Sequence, residues 1–226
     1  GLARVRSITQ DDAHVFCNMD KTESELKIIW DIVHEFYNAF NLPLKVRLSL
    51  RDPNQPDKYL GDAKTWEGTE NILRLVVKEK GGKYFEASGE AAFYGPKLDF
   101  MITDSLGREW QVATIQLDLN MPEKFKLTFT RDDGIQGKIY MIHAAIMGSI
   151  ERFMSILIEH FAGAFPVWLA PVQAVVLPVS EKQTAYAQKV LVKLRANNIR
   201  SEMPEPNETL GKRIRESELQ KIPYIL

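Results

Sequence analysis

A chain of 226 residues, 45% hydrophobic and 26% charged, has enough apolar material for a core in one large domain or two modest ones. Lys+Arg 29 against Asp+Glu 30 leaves a formal charge of -1, so any nucleic-acid contact must come from local basic patches rather than a global field. A single cysteine, Cys17, excludes an internal disulfide framework and fits a reducing compartment; no apolar run reaches the about 18 residues of a spanning helix, and GLARVRSITQ lacks a signal-peptide core. A soluble cytoplasmic protein is the expected class.

In chain order, residues 3–16 alternate as a strand. Residues 21–40 carry Leu26, Ile29, Trp30, Val33, Phe36, Tyr37 and Phe40 at helical spacing. Thr22 and Glu25 read as a capping box, and Asn41 and Pro43 as the stop. LKVRLSL (44–50) reads as a half-buried strand, RDPNQPDKYLGD as a loop, 63–79 as a helix and KGGK as a turn. AAFYGPKLDFMITD and REWQVATIQLDLN, joined by SLGR, predict an antiparallel hairpin. A strand at 124–130, the turn RDDGIQGK and the strand IYMIH follow, then a buried helix at 144–161 closed by GAFP. Beyond Trp168, strand VQAVVLPV, helix 181–197, strand 199–203, helix 208–221 and strand PYIL alternate as in a parallel α/β sheet. A domain boundary is expected near Pro166 to Pro171.

Parity along the opening strand puts Arg4, Arg6, Ile8, Gln10, Asp12, His14 and Phe16 on one face. Two guanidinium groups suit a phosphate or carboxylate, Asp12 an ammonium group, and His14 a metal or a proton. A solvated sheet face with its own salt bridges accounts for the same pattern. A second cluster adds Tyr94, Lys97, Gln111, Thr114 and Gln116 on the hairpin strands, and His143 just before a helix. There Gly148 and Ser149 leave room for a ligand, and Arg152 asks for an anionic partner. His34 and His160 read as structural, and Cys17 as a small buried thiol.

RVRSITQDDAHVFC, GEAAFYGPKLDF, REWQVATIQLDLN, MIHAAIMGSIERF and FPVWLAPVQ together resemble the threonyl-tRNA synthetases, a class II aminoacyl-tRNA synthetase family. The likeness runs in order through essentially the whole chain, and TQDDAH with FYGPK is its most specific part. It implies an α+β antiparallel sheet of class II type over residues 1–168, from the second half of motif 2 through motif 3. A partial α/β anticodon-binding domain over 169–226 follows. The implied activity is threonine–tRNA ligase: ATP and threonine form threonyl-adenylate, and threonine passes to tRNA(Thr), in a cytoplasmic homodimer without membrane contact.

Carried over by position, the resemblance makes His14 and His143 ligands of a catalytic zinc. Asp12 takes the substrate ammonium, and Gln10, Tyr94, Gln116 and Ser149 line the threonine pocket. Arg4, Ile8, Lys97, Gln111, Thr114 and Arg152 surround ATP and its Mg2+, with Arg4 and Arg152 as the catalytic arginines. Zinc has a physical rationale, since an apolar pocket separates threonine from near-isosteric valine only about a hundredfold. A metal with three protein ligands keeps positions open for the amino group and β-hydroxyl.

The resemblance also sets departures. The third zinc ligand, a cysteine, and the first motif 2 strand would lie ahead of Gly1, so this segment alone is expected to be inactive. Ile8 stands where an adenine-stacking aromatic residue is usual, and Ala144 where an arginine is. Gln111 and Gln116 fall on opposite faces of a regular strand, so both reach one site only through a bulge. Lys212, Arg213 and Arg215 form either a solvated helix face or an RNA contact. A non-catalytic module that binds tRNA or a partner is the alternative function; a zinc hydrolase would need a further ligand and a base.

Overall fold

The first regular element starts only at Ala13: β1 spans Ala13–Cys17, and α1 follows at Met19–Ala39. The computed structural model describes residues 1–205 and 207–226, which divide into two units, Gly1–Met154 and Ser155–Leu226. Next come β2 (Lys45–Leu50), α2 (Ala63–Lys80), β3 (Tyr84–Ser88), β4 (Lys97–Thr103) and β5 (Glu109–Asp118). They are followed by α3 (Asn120–Lys124), β6 (Thr128–Thr130), β7 (Gln136–Lys138), β8 (Tyr140–Ala145) and α4 (Ile150–Phe161). The chain closes with β9 (Ala174–Val175), α5 (Thr184–Ala196), β10 (Ser201–Glu202), α6 (Leu210–Leu219) and β11 (Tyr224–Ile225).

In the first unit the strands run in the order β1-β8-β5-β4-β2-β3, antiparallel except for the parallel β2–β3 pair. Leu48, Leu98, Ile115 and Ala144 lie side by side on four neighbouring strands, all buried. Because directly paired residues share a face, this row is the apolar side of the sheet. The helices answer it with buried Leu26, Trp30 and Val33 from α1 and Leu73 and Val77 from α2. The Trp30 ring stands 5.2 Å from that of Phe100, edge to face. The expected α+β sheet is therefore present, with its helices on one side and its other face free for polar groups. In the second unit β10-β9-β11 form the expected parallel sheet, with Val176, Ala187 and Leu191 as a small core.

Several expectations need correction. The strand placed at 3–16 exists only from Ala13; residues 1–12 contribute one isolated bridge, Gln10 to Ser149. The reason is the partner: β8 pairs with β1 as far as Ala144, and beyond Ala145 the chain turns away. Helix α1 is capped by Asn18, whose Oδ1 accepts from the Lys21 amide at 2.9 Å. Thr22 is instead buried, its hydroxyl donating to the Asn18 carbonyl at 3.0 Å. β3 has no counterpart among the predicted elements; it is an edge strand with mostly exposed residues, so no hydrophobic period marks it. AAFYGP lies outside the hairpin, whose strand begins at Lys97, and the region expected as strand from 124 is helical at its start.

The helix predicted at 144–161 begins at Ile150. Ala144 and Ala145 stay in the ladder opposite Ile115 and Thr114. Gly148 is therefore no helix-interior glycine: its φ is +64°, and a Cβ there would meet the Val112 carbonyl oxygen at 2.6 Å. Only glycine satisfies both demands at this turn.

Candidate active site

The polar face of the sheet is organised in rows. His14 pairs with His143, His143 with Gln116, and Gln116 with Lys97. Four side chains predicted for one site thus stand in register across β1, β8, β5 and β4, on one face. The imidazole rings of His14 and His143 are 4.6 Å apart, edge to face. Tyr94 joins the row from the segment before β4: its hydroxyl donates to Gln116 Oε1, and its ring lies 5.0 Å from His143.

A second row holds Thr114 opposite Asp99, and a third holds Gln111 opposite Met101. Between them Phe100 pairs with Ala113 and Met101 with Gln111, which leaves Val112 as an extra residue in β5. This bulge flips the parity, so Gln111 and Gln116 face the same side. The condition set by the sequence is met.

Asp99 ties this region together. It is fully buried, and its carboxylate accepts from Arg47 Nη2 at 2.9 Å, Ser49 Oγ at 2.7 Å, Gln111 Nε2 at 2.7 Å and Thr114 Oγ1 at 3.1 Å. Lys97 Nζ stands 3.1 Å from the same group. Arg47 also reaches Glu90 Oε2 at 3.6 Å, so the two cations are shared between one buried and one exposed carboxylate.

The other residues come from outside the sheet. Asp12 is exposed, and its charge, after burial and the charge of Asp118, helps push the Tyr94 phenol up. Tyr94 therefore stays a hydroxyl donor at neutral pH. Gln10 forms its bridge with Ser149. Ser149 Oγ donates to Glu151 Oε2 at 2.9 Å, so its hydroxyl holds the turn before α4. Glu151 also accepts the Thr9 amide on both oxygens at 3.1 Å, and chiefly that bond lowers its carboxyl to about 2.

Arg152 donates from Nε to the Ala3 carbonyl at 3.1 Å, and its guanidinium lies 5.4 Å from the Trp110 ring centre. Arg4 is 5.9 Å from the same ring. Two arginines predicted from distant sequence thus share one indole, although Arg4 lies outside any strand. Among the described residues Arg152 makes no ion pair with a carboxylate. Ile8 is 53% exposed.

Sequence reasoning missed Asp99, Trp110, Asp118 and Asp11. The signal for two of them was an acid inside an apolar strand, KLDF and IQLDL. Asp11 accepts the amides of Ile146 at 2.8 Å and Met147 at 2.9 Å, which fastens the chain before β1 to the turn before α4. Cys17 points away from His14, its Sγ 3.6 Å from Thr22 Oγ1, and burial raises its thiol. His34 is structural as expected, with Nδ1 2.9 Å from the Trp30 carbonyl. In the second unit Arg213 is buried and donates to the carbonyls of Pro178 and Glu208, so it belongs to no solvated cation cluster.

Two imidazoles on one row fit a borderline cation. Among the described residues, however, no group of three or more His, Cys, Asp or Glu side chains could hold one. No described helix is long and apolar enough to cross a membrane.

Comparison with known proteins gives the family. The family model for the tRNA synthetase class II core domain (G, H, P, S and T) covers residues 1–161, and that for an anticodon binding domain covers 173–226. A protein named threonine–tRNA ligase from Thermus thermophilus is 48% identical over 100% of this chain, and one from Thermotoga neapolitana is 49% identical. The chain spans 34% and 35% of these relatives. Among solved structures, the RNA binding domain of threonyl-tRNA synthetase from Cryptosporidium parvum aligns over 100% of this chain and 56% of its own, with TM-score 0.93 and 36% identity. A putative threonyl-tRNA synthetase from Aeropyrum pernix aligns over 99% of this chain and 53% of its own, with TM-score 0.82 and 33% identity. With the synthetase core matched over residues 1–161, the chain belongs to the class II tRNA synthetases.

Proposed function

We propose that this chain forms part of the active site and of the anticodon-binding region of a threonine–tRNA ligase. The reaction joins threonine to ATP·Mg2+ as threonyl-adenylate and then to tRNA(Thr), in a cytoplasmic homodimer. The boundary between the two domains falls along the chain in the Pro166 to Pro171 stretch, between the segments matched by the two family models. The observation that carries the reading is the His14–His143 ring separation of 4.6 Å on a row that continues into Gln116 and Lys97.

His14 and His143 would hold a zinc through their ring nitrogens, with a further donor needed to complete the set. When bound, that zinc supplies open coordination for an amino group and a β-hydroxyl, which valine lacks. Asp12 holds the substrate ammonium. Tyr94 and Gln116, already bonded to each other, form one wall of the threonine pocket, with Gln10 and Ser149 at its mouth. Lys97, Arg152 and Arg4 meet the phosphates, Gln111 and Thr114 orient the nucleotide, and Ile8 gives adenine an apolar contact. The threonine carboxylate attacks the α-phosphorus and pyrophosphate leaves. That nucleophile is already ionised, so no residue need remove a proton, and catalysis is positioning plus charge stabilisation.

The test is threonine-dependent ATP–pyrophosphate exchange in the full-length protein, with and without His143→Ala. Exchange that requires threonine and is lost in the variant supports the reading. Unchanged exchange in His143→Ala removes the zinc role, and no exchange in the wild-type protein favours a binding module.

A further inference from the structure

His143 is gripped from behind. Its Nε2 lies 3.1 Å from Oδ2 of Asp118, a residue with no exposed surface. The other carboxylate oxygen accepts the backbone amides of Asn120 and Met121, each at 2.9 Å. The carboxylate therefore cannot rotate away from the ring without abandoning two amides in a dry setting. A carboxylate oxygen can only accept, so Nε2 carries the proton of this bond, and in the neutral ring the lone pair is on Nδ1.

We propose that Asp118 is a positioning residue that locks His143 in its Nε2–H tautomer, so that Nδ1 is the atom offered to the cation shared with His14. This rests on the zinc reading above and deepens it. The ring is braced on a second side by Tyr94, itself held by Gln116. His14 differs: it is exposed, and among the described residues nothing hydrogen-bonds its ring. The pair thus combines one nitrogen fixed in advance with one free to adjust. Carboxylate partners of metal-bound histidines set ring orientation and raise ligand basicity, and their loss typically weakens metal affinity by about 10–100-fold.

Asp118→Asn is the informative variant. Its Oδ1 can keep both backbone amides while its amide N–H group faces Nε2, donor against donor, which reverses the tautomer. The full-length protein is read in three ways. Ring 15N shifts of His143 in metal-free protein are expected to report Nε2–H in the wild type and Nδ1–H in the variant. Zinc competition with a chelator is expected to give an affinity about 10–100-fold weaker in Asp118→Asn, with cooperative unfolding of the metal-free protein retained. A zinc-loaded structure is expected to have Nδ1 of His143 as the ligand. An Nδ1–H tautomer in the wild type, unaltered zinc affinity in Asp118→Asn, or ligation through Nε2 overturns the proposal. His143→Ala separates the two layers. If it too leaves zinc affinity unaltered, the zinc reading itself fails; if it abolishes binding while Asp118→Asn does not, only the role of Asp118 fails.

Discussion

A Cβ placed on Gly95 would stand 1.9 Å from the carbonyl oxygen of Leu117. Nothing larger than glycine can hold the segment before β4 this close to β5, where the Leu117 amide donates to the Pro96 carbonyl at 3.1 Å. The contact matters because Tyr94, the preceding residue, reaches Gln116 from it.

Gly95→Ala is therefore expected to destabilise the protein by about 1–3 kcal/mol, as overpacking does, and to weaken threonine binding by displacing Tyr94. Gly68→Ala is the control, since a Cβ there meets nothing within 4 Å and Gly68 lies inside α2. That change should stabilise by about 0.5–1 kcal/mol. Urea unfolding of both variants checks the pair; equal effects would mean that the close approach to Leu117 is not what constrains Gly95.

Asp99→Asn leaves Arg47 and Lys97 facing a neutral amide on the polar side of the sheet. The expected loss is about 3 kcal/mol, at the low end for breaking a buried ion pair because both cations are partly exposed. Glu86→Gln is the reference: Glu86 meets Arg74 Nε at 2.9 Å, but its side chain is 41% exposed. It should cost under about 1 kcal/mol. A comparable loss from the two substitutions in denaturant titrations would contradict the central place given to Asp99.

Glu151 predicts an acid-side dependence. Its carboxyl is lowered from 4.5 to about 2, chiefly by the Thr9 amide. A depressed acid contributes stability above its unfolded value, and that contribution is lost as pH falls through its folded value. The stability advantage of wild type over Glu151→Gln should thus be full above pH 4.5 and shrink steadily toward pH 2. Thermal melts at stepped pH read it directly, and an advantage constant across that window would refute the assignment.

How far the letters went differs by element. α1, β2, α2, the β4–β5 pairing and the alternation after Trp168 were legible, because each carries a hydrophobic period or turn residues of its own. β3 was not, since an exposed edge strand has no such period. The start of α4 was misread because Ala144, Ala145 and Gly148 say nothing locally about the ladder and turn they serve. The site residues came through a family resemblance, while parity placed Arg4, Ile8 and Gln10 on a strand that does not exist.

The sequence by itself determined which residue types are present, which segments are amphipathic, and the family to which they belong. Local periodicity and side-chain chemistry are properties of neighbours along the chain. Only the tertiary structure decided that His14, His143, Gln116 and Lys97 form one row. It also decided that Val112 bulges to bring Gln111 round, and that buried Asp99 and Asp118 stand behind the polar face. Those relations are set by register between strands far apart in sequence, and register is a collective outcome of packing that no single stretch encodes.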